Sequence, residues 1–191
     1  ALTGRTPRYG FHLDENRHGT RLFQVEEQPK DWSQWGALGG FIGREMGSYY
    51  EVPVIKGIDV TPSSDDLKHF GAAMASFGST ALFHMVAITP EAPTVEAVFE
   101  GTPPAPHVIT NEDMDAFFAT YAMDDDALDV VVFAAPQLSL YELERLAKLL
   151  KGQTIHSDVA LLIATNPENK RAAERMGLDD MISGSGAILM E

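Results

Sequence analysis

VPVIKGIDVTPSSDDLKHFGAAMASFGSTALFHMVAI, residues Val52 to Ile88, contains a full strand–helix–strand pattern, and its reading decides the fold class. Val52 to Ile58 is a short apolar run that leaves through Lys56-Gly57, as a buried strand does. Thr61-Pro62-Ser63-Ser64-Asp65-Asp66 then starts a helix. Pro62 suits the entry, Ser63 or Ser64 can cap the first free N–H groups, and the two acids sit where the helix dipole favours negative charge. Leu67, Phe70, Ala73, Met74 and Phe77 form one apolar stripe at helical spacing, which Gly78 ends. Thr80 to Ile88 is again nearly continuously apolar over the length of a strand, and such runs suit strands covered on both faces.

The same alternation extends in both directions. Upstream, Leu22 to Val25 reads as a strand and Asp31 to Met46 as a helix carrying Trp32, Trp35, Leu38, Ile42 and Met46. That helix holds Gly36, Gly39, Gly40 and Gly43, with Gly47 at its end. Each weakens a helix by up to ~1 kcal/mol relative to Ala. Their density implies close packing against another backbone or a flexible segment; phosphate cradling ranks lowest, because the glycines do not follow a clear strand at the required spacing. Downstream, helices are expected over Asn111 to Tyr121, Ser139 to Leu150 and from Asn166 or Pro167 to Gly177. Buried strands are expected at Asp129 to Ala134 and Asp158 to Ala164, and a final strand at Ala187 to Met190. Ser139 and Glu142 make a capping box. The pattern predicts an α/β fold, a mostly parallel sheet with helices on both faces and right-handed crossovers. Thr102-Pro103-Pro104-Ala105-Pro106 continues neither element type and marks the expected internal junction.

Composition narrows the function. Fourteen Lys and Arg against 28 Asp and Glu give a net charge of −14, which opposes nucleic-acid or anionic-membrane binding and favours a small polar substrate or a protein partner. No run approaches the ~18 apolar residues of a membrane helix, and no signal peptide opens the chain, so the cytoplasm is the expected location. The absence of cysteine excludes disulfides, thiolate zinc sites and a cysteine-held cluster within this chain. Beginning at Ala1 and stopping directly after an apolar run, the chain is expected to be a piece of something longer.

The densest chemistry lies in Thr3 to Thr20, TGRTPRYGFHLDENRHGT, with His12, Asp14, Glu15, Asn16, Arg17 and His18 in one run lacking helical or strand period. Parallel α/β sheets bind ligands outside the carboxyl ends of their strands, where Lys56-Gly57, Thr89-Pro90-Glu91 and Ala134 to Ser139 fall; with the opening loop these are expected to surround one cleft. His84, the titratable residue inside its apolar run, needs a partner for its ring nitrogens, and a satisfied core histidine is the ordinary explanation of a lone one. Glu91 also reads as a helix-start acid, and Ser76 and Ser79 as turn chemistry. No Ser-His-Asp spacing, Walker glycine pattern or histidine-rich metal motif is present.

TGRTPRYGFHLDENRHGT, VPVIKGI, SSDDLKHFGAAMASFGSTALFHMVAITPEAP and FAAPQLSLYELERLAKLL, in that order, resemble the aconitase X family. The resemblance implies an aconitase-like α/β/α fold and residues 1–191 as part of the large catalytic region, partnered by the rest of that region and a small swivelling domain. It implies a hydro-lyase that removes water from a small hydroxy acid. One branch resembles dehydratases of cis-3-hydroxy-L-proline, which is the expected substrate. The alternative is the branch acting on mevalonate 5-phosphate, and a non-catalytic α/β binding or scaffold domain is a reading from another class.

An iron or iron–sulfur centre acting on the departing hydroxyl is implied by the same resemblance. Arg17 is the expected clamp for a substrate carboxylate, with Lys56 a second anion contact. His12 and Glu15 are expected to orient substrate or move protons. Together with the strand-end clusters this gives His12, Glu15, Ser76 and His84 as catalytic candidates and Asn16, Arg17, Lys56, Thr89 and Glu91 as substrate-binding ones. Family members often carry Gly-Cys-Pro-His where this chain has Ala134-Ala135-Pro136-Gln137, so a thiolate is missing at Ala135 and no residue here is assigned to metal. Further family cysteines are expected before Ala1 and beyond Glu191. Missing sequence that supplies the ligands, a reduced metal site and lost activity all remain open on these residues.

Overall fold

The computed structural model describes residues 2–121 and 128–191, and the chain divides into two compact units, Ala1–Ala122 and Met123–Glu191. The junction expected at Thr102 to Pro106 lies inside the first unit. The proline-rich stretch there leads into a strand that returns to the same sheet, so it connects elements of one unit instead of separating two.

In the first unit, strands β1 (Arg21–Val25), β2 (Pro53–Lys56), β3 (His84–Met85) and β4 (His107–Ile109) form a parallel sheet in the order β3-β2-β1-β4. Helix α1 (Trp32–Met46) crosses from β1 to β2, α2 (Ser64–Gly78) from β2 to β3, and α3 (Asn111–Ala119) follows β4. The period of two along the strands sorts the core. Phe23, Val25, Ile55 and Ile109 pack on one face with Leu38 and Ile42 of α1, Phe70 and Met74 of α2 and Phe117 of α3. Leu22 and Val54 point to the other face and pack under Ala92 and Val98, so that face is covered by the segment between Val86 and Phe99, which contains only a short 3₁₀ turn.

Capping chemistry sets the helix starts. Ser63 accepts from the Asp66 backbone N–H while the Asp66 carboxylate accepts from Ser63 N at 2.8 Å, and Asp31 caps α1 through Gln34 N at 3.0 Å. The glycines of α1 answer the packing question raised by the sequence. A Cβ at Gly39 would land on the Phe70 carbonyl oxygen and one at Gly43 on that of Met74, so α1 and α2 meet backbone to backbone.

The strand expected over Thr80 to Ile88 is shorter than its apolar run. Only His84 and Met85 pair with β2. Ala87 takes a left-handed φ of 62°, Ile88 N donates to Met85 O, and Thr89 Oγ1 accepts from Met85 N at 2.9 Å, which turns the chain away after two residues. Strand β4 carries no strand signal of its own; its three residues are placed by pairing with β1.

The second unit has strands β5 (Val130–Leu138), β6 (Ala160–Thr165) and β7 (Ile188–Met190), parallel and in that order, with helices α4 (Leu140–Leu150), α5 (Pro167–Arg175) and α6 (Leu178–Ser183). Ser139 and Glu142 form the expected capping box. The helix expected from Asn166 or Pro167 to Gly177 is α5, capped by Asn166 and ending at Arg175, and a further short helix, α6, starts after Gly177, which takes a left-handed φ of 70°. Leu143, Ala147, Leu161, Ile163, Ala173, Ile182 and Leu189 form one core to which all three helices contribute. The opposite sheet face carries Val132, Leu162 and Ile188 in register; Val132 is 55% and Ile188 54% exposed. The strand expected to be buried at Asp129 to Ala134 is instead mostly exposed: Val131 is half-buried against the core on the helix side, Phe133 is 37% exposed, and the face of Val132 has no helix of this unit over it. The alternation read from sequence as one sheet is built as two parallel sheets with their helices. Among the described residues no helix is long and apolar enough to cross a membrane.

Candidate functional site

The run Thr3 to Thr20 folds as two 3₁₀ turns, Gly10–His12 and Asp14–Asn16. Asn16 Nδ2 closes them by donating to Gly10 O at 2.9 Å. The run is then tied down by main-chain bonds from Gly19 N to Val98 O in the covering segment and from Thr20 N to Val52 O just before β2, at 2.6 and 2.8 Å. Arg17 lies just before these ties, at the amino end of β1.

All three guanidinium nitrogens of Arg17 are engaged. Nη1 donates to Phe11 O at 2.6 Å, Nε to Glu91 Oε2 at 2.7 Å, and Nη2 to Glu91 Oε1, a two-point fork on one carboxylate. Hydrogen bonding between the partners raises the Arg17 pKa and lowers that of Glu91, so Glu91 is held ionised. Asp14 adds to the first effect. The pair is half open to water, with side chains 26% and 51% exposed.

His84 completes the group from below. It is in register with Val54, on the sheet face that the Val86 to Phe99 segment covers, and is 2% exposed. Its Nε2 lies 2.7 Å from the Arg17 carbonyl oxygen. Arg17 therefore contacts Glu91 with its side chain and His84 with its main chain, although the three are far apart in sequence.

The other candidates are placed differently. His12 is exposed with Nδ1 3.0 Å from Thr6 Oγ1, and Glu15 is exposed on the second 3₁₀ turn. The Thr89 hydroxyl is used in the turn after β3, bonding Met85 N and O. Lys56 ends β2, two residues beyond Val54 and on the same face, and its charge reaches Glu96, whose pKa is lowered mainly by its own backbone N–H. Ser76 is exposed in the last turn of α2. Ala134 to Ser139 belongs to the second unit, where the β5 register shifts between Phe133 and Leu138. Sequence reasoning missed the two main-chain acceptors, Phe11 O and Arg17 O, which no side-chain motif encodes. It also missed a cavity of about 200 Å³ at the carboxyl ends of β1 and β4, lined among others by Gln28, Leu38, Asn111 and Phe118. None of the expected site residues lines it.

An iron or iron–sulfur centre does not fit the donors present. The chain has no cysteine, and among the described residues no three His, Asp or Glu side chains gather within reach of one ion. Ala135, at the β5 irregularity, offers a methyl group where a thiolate is expected.

Comparison with known proteins extends over the whole chain. It is 35% identical over 185 residues to cis-3-hydroxy-L-proline dehydratase of Hypocrea jecorina, covering 93% of this chain and 31% of that protein. It is 35% identical over 190 residues to the phosphomevalonate dehydratase large subunit of Methanothermobacter thermautotrophicus, covering 100% of this chain and 45% of the relative. The crystal structure of Thermococcus kodakaraensis aconitase X in its holo-form superposes with a TM-score of 0.85 at 30% identity, covering 100% of this chain and 47% of that one. The chain thus spans from about a third to just under half the length of these relatives. Residues 19–119 match the aconitase X second domain and residues 128–191 the aconitase X third domain, a division that falls where the two compact units meet in sequence, and the chain belongs to the aconitase X family.

Proposed function

We propose that this chain forms part of a hydro-lyase that dehydrates a small hydroxylated carboxylic acid, with cis-3-hydroxy-L-proline as the substrate. Membership in a family whose relatives are named dehydratases supports the reaction class. The observation that carries the substrate is the Arg17–Glu91 pair. A cyclic amino acid carries a carboxylate and a ring ammonium, and a guanidinium beside a carboxylate complements both. The Arg17 fork already holds a carboxylate in the two-point geometry that a substrate carboxylate needs. Because half-exposed ion pairs contribute only about 0–1 kcal/mol, an incoming carboxylate exchanges with Glu91 at little cost, and Glu91 is then free to accept the ammonium.

Mevalonate 5-phosphate is the second reading, supported by phosphomevalonate dehydratase relatives of similar identity. It has two anionic ends and no cation, so Glu91 would repel it.

In this assignment Arg17 binds and orients, Glu91 selects for the cationic nitrogen, and Lys56 adds positive charge on the same sheet face. The family's metal chemistry is not built into any step, since the residues present do not hold it. Assay of the complete protein on both substrates provides the test. Dehydration of hydroxyproline is expected, with kcat/KM falling about 10²-fold or more in Arg17→Ala. Glu91→Gln is expected to raise KM for hydroxyproline without raising it for mevalonate 5-phosphate. Turnover of the phosphate ester alone would reverse the choice.

A further inference from the structure

Resting on the hydro-lyase reading, we infer that His84 is the base that removes the substrate proton, through Nδ1, and that Arg17 is the positioning residue that presents this nitrogen. A carbonyl oxygen only accepts hydrogen bonds, so the 2.7 Å contact with Arg17 O places the imidazole hydrogen on Nε2. The neutral ring then has its free lone pair on Nδ1. No hydrogen-bond partner reaches Nδ1 among the described residues. His84 as a whole is 2% exposed, held on the Nε2 side by the Arg17 carbonyl. A ring with one nitrogen fixed and the other unpartnered has the orientation that a general base needs. His12 is not held this way: it is exposed, and its Nδ1 is shared with the Thr6 hydroxyl.

Glu91 completes the arrangement. Released from the Arg17 fork by the substrate carboxylate, it is a negative charge close enough to His84 to interact with it electrostatically. In the step itself, Nδ1 takes the proton from the carbon beside the substrate carboxylate. The C–H electron pair becomes the new double bond, and the C–O bond of the hydroxyl breaks. The departing hydroxide takes up a proton from solvent and leaves as water, and Nδ1 returns its proton to solvent, so that no net proton is gained or lost.

A histidine whose Nε2–H is bonded to a backbone carbonyl is also how metal-binding imidazoles are held. No further ligands gather around His84 among the described residues, which favours the base.

Two variants separate the parts of this inference. His84→Gln keeps an amide N–H where Nε2–H lies and removes Nδ1. In the complete protein it is expected to preserve folding by circular dichroism, lower kcat about 10²–10⁴-fold with little change in KM, and abolish solvent-deuterium exchange at the carbon beside the carboxylate. ¹⁵N NMR of histidine-labelled wild type is expected to show the Nε2–H tautomer at His84, and Arg17→Lys, which keeps the carbonyl, is expected to preserve it while raising KM. Undiminished kcat or persisting exchange in His84→Gln overturns the base. An Nδ1–H tautomer overturns the geometry, and a shift of the Nδ1 resonance on titration with ferrous ion makes His84 a ligand instead. If wild type dehydrates neither substrate, the hydro-lyase reading fails and the base fails with it; normal wild-type turnover with a fully active His84→Gln sinks only the base.

Discussion

The two units use one construction, parallel strands joined by capped helices, yet they cover their sheets differently. In the first, both faces are buried: Val54 and Ile55, neighbours on β2, are each 0% exposed, one under the Val86 to Phe99 segment and the other under the helices. In the second, Ile163 is 0% exposed while Val132, on the other face, is 55% exposed. The extra cover in the first unit is a segment without regular helix, and it is this segment that brings Glu91 to Arg17 and roofs His84. Where only helices pack, the sheet forms a core; where an irregular segment crosses the second face, the unit also gains a polar site. Irregular backbone is suited to this because it can present a carboxylate at a position no helix period dictates.

The largest effect should come from breaking the covered faces. Ile163→Ala removes a fully buried side chain and is expected to cost about 2–5 kcal/mol, whereas Val132→Ala on the open face should stay within about 0.5 kcal/mol. Val54→Ala and Ile55→Ala, by contrast, should both be costly, each in the range of about 1–4 kcal/mol, since both faces of β2 are closed. Denaturant unfolding followed by circular dichroism measures all four. Equal losses from Ile163→Ala and Val132→Ala would remove the asymmetry on which the comparison stands.

Of intermediate size is the helix contact peculiar to the first unit. Gly39→Ala pushes a methyl group onto the Phe70 carbonyl and is expected to cost about 1–3 kcal/mol. Gly36→Ala, on the same helix with open space around it, should stabilise by up to about 1 kcal/mol through helix propensity. Trp32 and Trp35 both lie in α1, so tryptophan fluorescence reads this helix directly. Opposite signs for the two alanines are the expected result; a shared loss would mean that flexibility, not contact, explains the glycines.

Much of this architecture is legible in the sequence, because capping boxes, apolar stripes and Gly ends are local. Ser63, Ser139 and Gly78 mark their helices within a residue of where they lie. What escapes is set by partners remote in sequence. Thr80 to Ile88 reads as one strand by hydropathy, yet its length is decided by the turn at Ala87 and Thr89. β4 exists because β1 offers an edge. In the site, Arg17, His84 and Glu91 are each visible as residue types, but the joining of Arg17 to Glu91 across 74 positions is not. Nor does any side-chain pattern reveal that the Arg17 carbonyl would face an imidazole.

The smallest expected effect tests whether that long-range pair differs in kind from the ion pairs of the second unit, where Glu144 with Lys148 and Glu168 with Arg171 join residues on one helix. Those local pairs contribute about 0.3–0.5 kcal/mol and tie nothing together beyond their own helix. Glu91 instead holds the opening loop to the roof segment. Its carboxyl is depressed below the ordinary value of 4.5 by Arg17 in the folded protein. The stability from a depressed carboxyl is fully present above its unfolded pKa and is lost as pH falls through the folded one. The difference in unfolding free energy between wild type and Glu91→Gln should therefore be flat near neutrality, no more than about 1 kcal/mol because the pair is half exposed, and should shrink progressively as pH drops below about 4.5. Hydrogen exchange of the Gly10–Asn16 amides provides the second readout: faster exchange in Glu91→Gln at neutral pH, approached by wild type only in acid, is what a loop tie produces. A pH-independent difference with unchanged loop exchange would make the Arg17–Glu91 pair no more than a surface contact, comparable to those along α4 and α5.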